Sequence, residues 1–477
     1  MGVDLGTGRC KAVLVAPDGT ILRVARRPTP LRHSREGSEL DPDELVATAA
    51  AVIRECVDGV DDVAGVGVAS MAESGVPLDA SGHALAPIIG WSDRRSAEDA
   101  EVIASTVDAA RLYRSTGLRA DAKYTLPKLR WLRHHRPGPM RRLTAWAGVA
   151  DLLALRLTGV LGTDASLACR TLAFDVRQRR WDAELLALAG VSVEQMPPVT
   201  SAGAPVGQVT DAGAALSGLP RGVPVAIAGH DHLVGAFGAG IDASGRVADS
   251  MGTAEVAILV LDEPRLSDRA LEAGLAAGIA AGSGRPYLLG NLPASGALLE
   301  WLRSSLLAGA EIPPPERVPS GLVALPYLGG RGAPDLDPSA YASIAGLRSD
   351  HRLGDVGVAL MEGAAWQLRW IVETLADVAG ERVADVTLFG GGARNGTWAA
   401  IKANVNPWPT QLAGSSEATG VGAAMIGAMA AGHPRPPVAA ATRLERIERL
   451  AAAYDELYRD RFLPLASASW WPSAADR

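Results

Sequence analysis

The chain has 477 residues, more than one hydrophobic core usually serves, so two domains of roughly 240 residues each are the natural expectation. Its 48% hydrophobic and 21% charged residues are ordinary for a globular enzyme, and a formal net charge of −7 argues against nucleic acid or an anionic membrane as the main partner. Three dispersed cysteines (Cys10, Cys56, Cys169) without a CxxC suggest neither a disulfide framework nor a zinc cage and fit a reduced, cytoplasmic setting, while no apolar run approaches the roughly 18 residues that span a bilayer.

Residues 2–20, GVDLGTGRCKAVLVAPDGT, read as a strand, a glycine turn, a second strand and a further turn at Pro17-Asp18-Gly19. The first turn places Gly6, Thr7 and Gly8 between the strands with Lys11 just beyond, so backbone N–H groups and one hydroxyl can face a phosphate. A plain hairpin uses the same glycines. A polar loop from Pro28 to Pro42 precedes a helix with Leu45, Val46, Ala49, Val52, Ile53 and Cys56 on one face, and a strand follows at 63–70. Alternation of helix and strand predicts a layered α/β fold. Next come Glu73 and the segment Trp91, Asp93, Arg95: two carboxylates, an indole and a guanidinium, a mixture that suits hydroxyl-rich ligands as well as it suits a surface ion pair.

Residues 107–190 read as mostly helical, and the basic strip at 128–142 reads as a solvated face rather than a nucleic-acid site. The stretch AIAGHDHLVGAFGAG at 226–240 reads as a strand ending in a turn that presents Asp231, then a small-residue helix, with Gly229 supplying an unusual backbone angle. Asp is also a preferred N-cap, so Asp231 alone proves nothing. The flanking His230 and His232 form an i, i+2 pair without a cysteine or third histidine nearby, which argues against metal binding and leaves His230 to touch substrate or to satisfy a hydrogen bond.

From about Ile241 the opening pattern returns. ASGRVADSMGTAEVAILVLD is β-rich with a turn at Ser250-Met251-Gly252-Thr253, which suggests a structural duplication. Helical periodicity follows at 291–308 and 353–380, with loop-rich sequence between. VTLFGGGARNGTW at 386–398 reads as strand, three glycines and a helix start, and its spacing is not GxGxxG, so a Rossmann dinucleotide site is disfavoured. The small-residue helix at 417–432 is suited to close packing and too short to cross a bilayer.

In order, DLGTGRCKAVL (4–14), WSDRR (91–95), YTLPKLRWL (124–132), LTGVLGTDASLACRTLAFDV (157–176), GHDHLVGAFGAG (229–240), SMGTAEVAI (250–258), LPYLGGRGAPDLDP (325–338) and FGGGARNGTW (389–398) resemble the FGGY carbohydrate kinase family. The resemblance implies an α/β architecture of two ribonuclease-H-like domains of the actin and Hsp70 ATPase superfamily flanking a cleft. Residues 1–240 would bind a small-molecule sugar or polyol and 241–477 would bind ATP. By position, Asp4 would organise the water shell of Mg²⁺, the turns at Gly6-Thr7 and Gly252-Thr253 would hold phosphates, and Gly391, Gly392, Ala393 and Asn395 would flank adenosine. Asp231 matches the family's general base, and Glu73 falls where glycerol kinases keep a substrate-binding glutamate. Dimers are common in that family, so a homodimer is the associated expectation.

Departures bear on the acceptor: the usual Gly-Thr-Thr or Gly-Thr-Ser is Gly-Thr-Gly here, Gly329-Gly330-Arg331 lacks the usual carboxylate, and Met71-Ala72-Glu73 follows neither the xylulose nor the glycerol kinase pattern. Two functions are carried forward: ATP-dependent phosphorylation of a ketose or linear polyol, and a nucleotide-driven switch on the same fold.

Overall fold

The computed structural model describes residues 1–34, 37–60, 62–315 and 317–468. Two mixed sheets organise it. The first joins β1 (Gly2–Leu5), β2 (Arg9–Val15), β3 (Ile21–Pro28), β4 (Val66–Ser70), β5 (Gly207–Gln208) and β6 (Pro224–His230) in the order β5-β6-β4-β1-β2-β3. Strands β1 to β3 form an antiparallel meander, and β4 and β6 extend it in parallel from β1.

The second sheet joins β7 (Arg246–Met251), β8 (Glu255–Val260), β9 (Ala276–Ile279), β10 (Pro286–Leu292), β11 (Asp385–Phe389), β12 (Thr410–Leu412) and β13 (Thr442–Arg443) in the order β9-β10-β8-β7-β11-β12-β13. Again an antiparallel run (β7, β8, β10) continues into two parallel strands, β11 and β12. The faint repeat of glycine turns in the sequence therefore corresponds to a repeat of strand topology.

The helices explain why the central strands read as continuous apolar runs. Helix α1 (Pro42–Val57) packs Leu45, Val46, Val52 and Ile53 against Val3, Leu5, Val66 and Val68 on one face of the first sheet. Asp41 caps it by accepting from the N–H groups of Asp43 and Glu44. The opposite face is covered by α5 (Ala418–Ala430), from the far end of the chain, and strands β1, β4 and β6 are thus buried on both sides. Helix α2 (Asp231–Gly238) runs beside α5 at backbone distance: a side chain at Gly238 would strike the Ala418 carbonyl, and one at Gly422 the Val234 carbonyl. Leu233, Val234 and Phe237 of α2 share one core with Val421 and Met425 of α5 and with Ala248, Ile258 and Phe389 of the second sheet. The glycines of both helices are what allow them to fill the space between the sheets.

Long helix α3 (Leu353–Ala379) buries Leu360, Met361, Ala364, Leu368, Ile371 and Leu375 as its periodicity requires, and α4 (Gly396–Val405) follows the triple glycine. Three expectations need correction. The polar loop after Pro28 contains a hairpin, Leu31–Ser34 paired with Gly37–Leu40, whose residues 35–36 lie outside the described set. The helix expected from 291 begins only at Gly296, because Asn291 and Leu292 complete β10. The segment 107–190 interleaves its helices with short strands, Ala145–Gly148 and Phe174–Asp175 among them. Among the described residues no helix is long and apolar enough to cross a membrane.

Candidate active site

Parallel pairing brings the carboxyl ends of β1, β4 and β6 to one edge, with Leu5 opposite Ser70 and Ser70 opposite His230. Ligands of open α/β sheets bind at such edges. Three carboxylates emerge there: Asp4 on β1, Glu73 just past β4 and Asp231 just past β6.

The Asp231 position is built from its neighbours. Gly229 adopts φ +121° beside a register shift in β6, and a side chain there would collide with Ser166 Oγ. That hydroxyl donates to Asp164 and accepts from the His230 N–H at 3.0 Å, which fixes the strand end. Asp231 then opens α2 with its side chain 21% exposed, and its Oδ1 accepts from the His232 N–H at 2.8 Å. Burial, with Glu73 adding its charge, pushes its carboxyl up to about 7. His230 Nε2 approaches Asp231 Oδ1 to 3.3 Å, while His230 Nδ1 is buried without a partner. His232 Nδ1 meets Ser250 Oγ at 2.8 Å, tying the Asp231 turn to the turn of the second sheet. Burial holds His232 down to about 4 and His230 well below the usual imidazole range, so both rings are neutral at pH 7.

Glu73 takes φ +60°, a backbone region rarely used by side-chain-bearing residues. Its Oε1 accepts from Arg170 Nε at 2.8 Å and Nη2 at 2.6 Å, while buried Arg170 Nη1 has no partner. The Arg170 guanidinium also lies over the Tyr124 ring at 5.4 Å. Below, Lys128 donates to the carbonyls of Glu73 and Gly90, each at 2.9 Å. Lys128 is fully buried, which corrects the reading of residues 128–142 as one solvated face; burial brings its ammonium down to about 7. Neither Arg170 nor Lys128 carries a local sequence signature, and each lies in a segment otherwise rich in apolar residues.

The other expected residues divide. Trp91 donates its indole N–H to Thr7 Oγ1 at 2.8 Å, so the aromatic ring is tethered to the glycine turn. Asp93 is engaged inside the protein: it accepts from the Ser38 N–H at 2.6 Å and from Arg95 through Nε at 3.0 Å and Nη2 at 2.8 Å. Arg95 also pairs with Glu39 and lies over Trp131 at 5.1 Å. Together Asp93 and Arg95 form a strut beneath the hairpin at 31–40. Lys11 Nζ pairs with Glu417 at 3.0 Å, at the head of α5.

Asp4 is 8% exposed, its Oδ1 lacks a partner, and burial with the Asp231 charge nearby pushes its carboxyl up to about 7. Gly6 and Gly8 shape the turn, the former donating to the Arg9 carbonyl at 3.1 Å and the latter accepting from the Thr29 N–H at 3.2 Å. On the second sheet, Gly252 and Thr253 follow β7, and their carbonyls accept from Gly296 at 3.1 Å and Ser295 at 3.0 Å. Beneath this turn Lys402 of α4 is wholly buried between Asp249 and Glu255, and Glu255 accepts from Ser295 Oγ. Gly391, Gly392 and Ala393 form an open turn after β11, and Asn395 caps α4 by accepting from the Trp398 N–H at 3.1 Å. A pocket of ≈ 430 Å³ lined by Gly296, Leu299, Met361, Asn395 and Thr397 opens beside that turn.

Two carboxyl edges therefore face one another through the His232–Ser250 contact, one rich in carboxylates and the other in glycine turns. Residues 1–238 match the N-terminal domain of the FGGY family of carbohydrate kinases, and residues 247–431 match its C-terminal domain. The chain is 30% identical over 441 residues to an L-fuculokinase of Salmonella typhi, covering 89% of this chain and 91% of that one. It is 28% identical over 446 residues to a xylulose kinase of Bacillus subtilis, covering 91% and 88%. The solved xylulose kinase from Rhodospirillum rubrum superimposes with a TM-score of 0.83 at 30% identity, covering 98% of each chain. The chain belongs to the FGGY family of carbohydrate kinases, with that family's two-domain fold.

Proposed function

We propose that the protein transfers the γ-phosphoryl group of ATP to a hydroxyl of an uncharged ketose or linear polyol, with Asp231 as the general base. The observation that carries this reading is the Asp231 carboxyl: partly exposed, held just past the end of β6 where His232 meets Ser250 of the second sheet, and poised at about 7 by burial. A base near the working pH accepts the hydroxyl proton as the oxygen attacks phosphorus.

Phosphoryl transfer asks mostly for positioning and charge neutralisation. Glu73 and Arg170 neutralise one another while leaving the buried Nη1 of Arg170 as a donor, which favours a neutral hydroxyl-bearing acceptor over a sugar acid. Thr7, Gly8, Gly252 and Thr253 would hold phosphates, Gly391, Gly392, Ala393 and Asn395 the nucleoside, and His230 would contact the acceptor. The unpartnered Oδ1 of Asp4 fits a Mg²⁺ site reached through water, and that ion would neutralise phosphate charge. A switch without phosphotransfer leaves both the neutral-range carboxyl and the Glu73–Arg170 pair without a role.

The test is ADP release above the no-acceptor rate across pentuloses, deoxyketohexoses, pentitols, tetritols, glycerol and gluconate. Turnover with a ketose or polyol and none with gluconate is the expected result. A uniformly flat panel, or gluconate as the preferred acceptor, contradicts the proposal.

A further inference from the structure

His230, Asp231 and His232 stand in an arrangement that base catalysis alone does not require. Each offers one ligand atom, and the three atoms lie within 4.8 Å of one another. His230 Nε2 is 3.3 Å from Asp231 Oδ1, and the two imidazole centroids are 5.3 Å apart at 84°.

These separations have a simple reference. Two donors bonded at about 2.05 Å to one tetrahedral ion are about 3.3 Å apart, and two imidazoles on that ion have centroids about 5.2 Å apart. Both observed distances agree within about 0.1 Å. Ser250 Oγ engages His232 Nδ1, which leaves Nε2 as the ligating nitrogen and supplies the hydrogen bond that commonly orients a metal-bound imidazole. The donor that stands between the two imidazoles is a carboxylate rather than a third histidine or a cysteine.

We infer that His230, Asp231 and His232 form a three-ligand site for a zinc-class divalent ion, with a fourth position open to the cleft, and that its occupation blocks phosphotransfer. The mixed nitrogen and oxygen donors select Zn²⁺, Co²⁺ or Ni²⁺ over Mg²⁺, which prefers all-oxygen shells. Blocking follows because coordination to a divalent ion withdraws charge from the whole carboxylate and so lowers the basicity that accepting a hydroxyl proton requires. This second half rests on the base role of Asp231; the binding half does not.

The experiment is equilibrium dialysis of the full chain against Zn²⁺ without nucleotide or sugar, for the wild type, His232→Gln, the double variant His230→Gln/His232→Gln, and His134→Gln at an exposed histidine elsewhere. One Zn²⁺ per chain is expected for the wild type and His134→Gln, with affinity at least about tenfold weaker in His232→Gln and no stoichiometric binding in the double variant. A Zn²⁺-dependent rise in Tm, present in the wild type and absent in the double variant, reads the same site in folded protein. Absence of stoichiometric binding by the wild type, or equal affinity in the double variant, overturns the site. In the kinase assay, with rates taken relative to each protein's own zinc-free rate, His232→Gln should need about tenfold more Zn²⁺ for half inhibition. Zinc bound at one per chain with turnover unaffected overturns the blocking. Zinc binding by a chain that phosphorylates no acceptor would instead refute the proposed function while leaving the metal site standing.

Discussion

With Asp231 as the proposed general base, the rate of phosphotransfer becomes a titration in the neutral range. With its carboxyl pushed up to about 7, about one tenth of it is ionised at pH 6, half at pH 7 and about nine tenths at pH 8. Because only the ionised form accepts a proton, kcat/KM for the acceptor should rise about tenfold from pH 6 to pH 8. At its ordinary value of 3.8 the same carboxyl would be ionised throughout, and the profile would be flat. The flanking histidines and Lys128 do not mimic this limb, and Asp231→Asn isolates it from Asp4 and Asp164, whose carboxyls burial also pushes up, to about 7 and about 6. His230 and His232 stay neutral across the range, and Lys128, brought down to about 7 by burial, loses charge as pH rises and would contribute in the opposite sense. The assay is coupled ADP release at constant ionic strength and saturating magnesium–ATP. A flat wild-type profile refutes the reasoning, as does an inflection that persists in Asp231→Asn.

Other outcomes follow from the contacts around the site. Glu73→Gln removes the charge that pairs with buried Arg170, so the acceptor KM should rise about ten- to a hundredfold while the ATP KM stays within about twofold; equal effects on both would move the acceptor site elsewhere. Asp93→Asn weakens the strut with Arg95 and Ser38 rather than an acceptor contact, so differential scanning fluorimetry should show a lowered Tm with acceptor KM unchanged within about twofold, the reverse pattern counting against that role. Lys402→Met leaves Asp249 and Glu255 buried without their cation, a loss of about 3–5 kcal/mol and a Tm drop of about 10 °C by calorimetry, whereas an unchanged Tm would mean the triad adds nothing to stability.

Local signals carried much of this architecture. Glycine turns bounded by apolar strands announced both meanders, and the 3.6-residue period of 353–380 is realised in a single helix, Leu353–Ala379, with one buried face. Periodicity could not reveal that α5 covers the first sheet from the other end of the chain, since that depends on glycines meeting backbone far away in sequence. Within the site, Asp231 was legible because a strand-to-helix junction with a neighbouring glycine has a recognisable pattern. Arg170 and Lys128 were not: a buried charge owes its position to partners on other elements, Glu73 and Gly90 here, and leaves no local signature. Conversely, Asp93 and Arg95 offer the chemistry of polyol recognition, but in the structure they pair with each other and with Ser38 and Glu39. Residue type alone cannot distinguish a ligand contact from a strut.

The most direct measurement is a paired titration and turnover of Asp231→Asn. The substitution keeps the shape of the side chain at the head of α2 and removes its capacity to accept a proton, so ATP binding should match the wild type within about twofold while kcat falls about 10²- to 10⁴-fold. Turnover near the wild-type rate would contradict the account and leave Asp231 without a part in proton transfer.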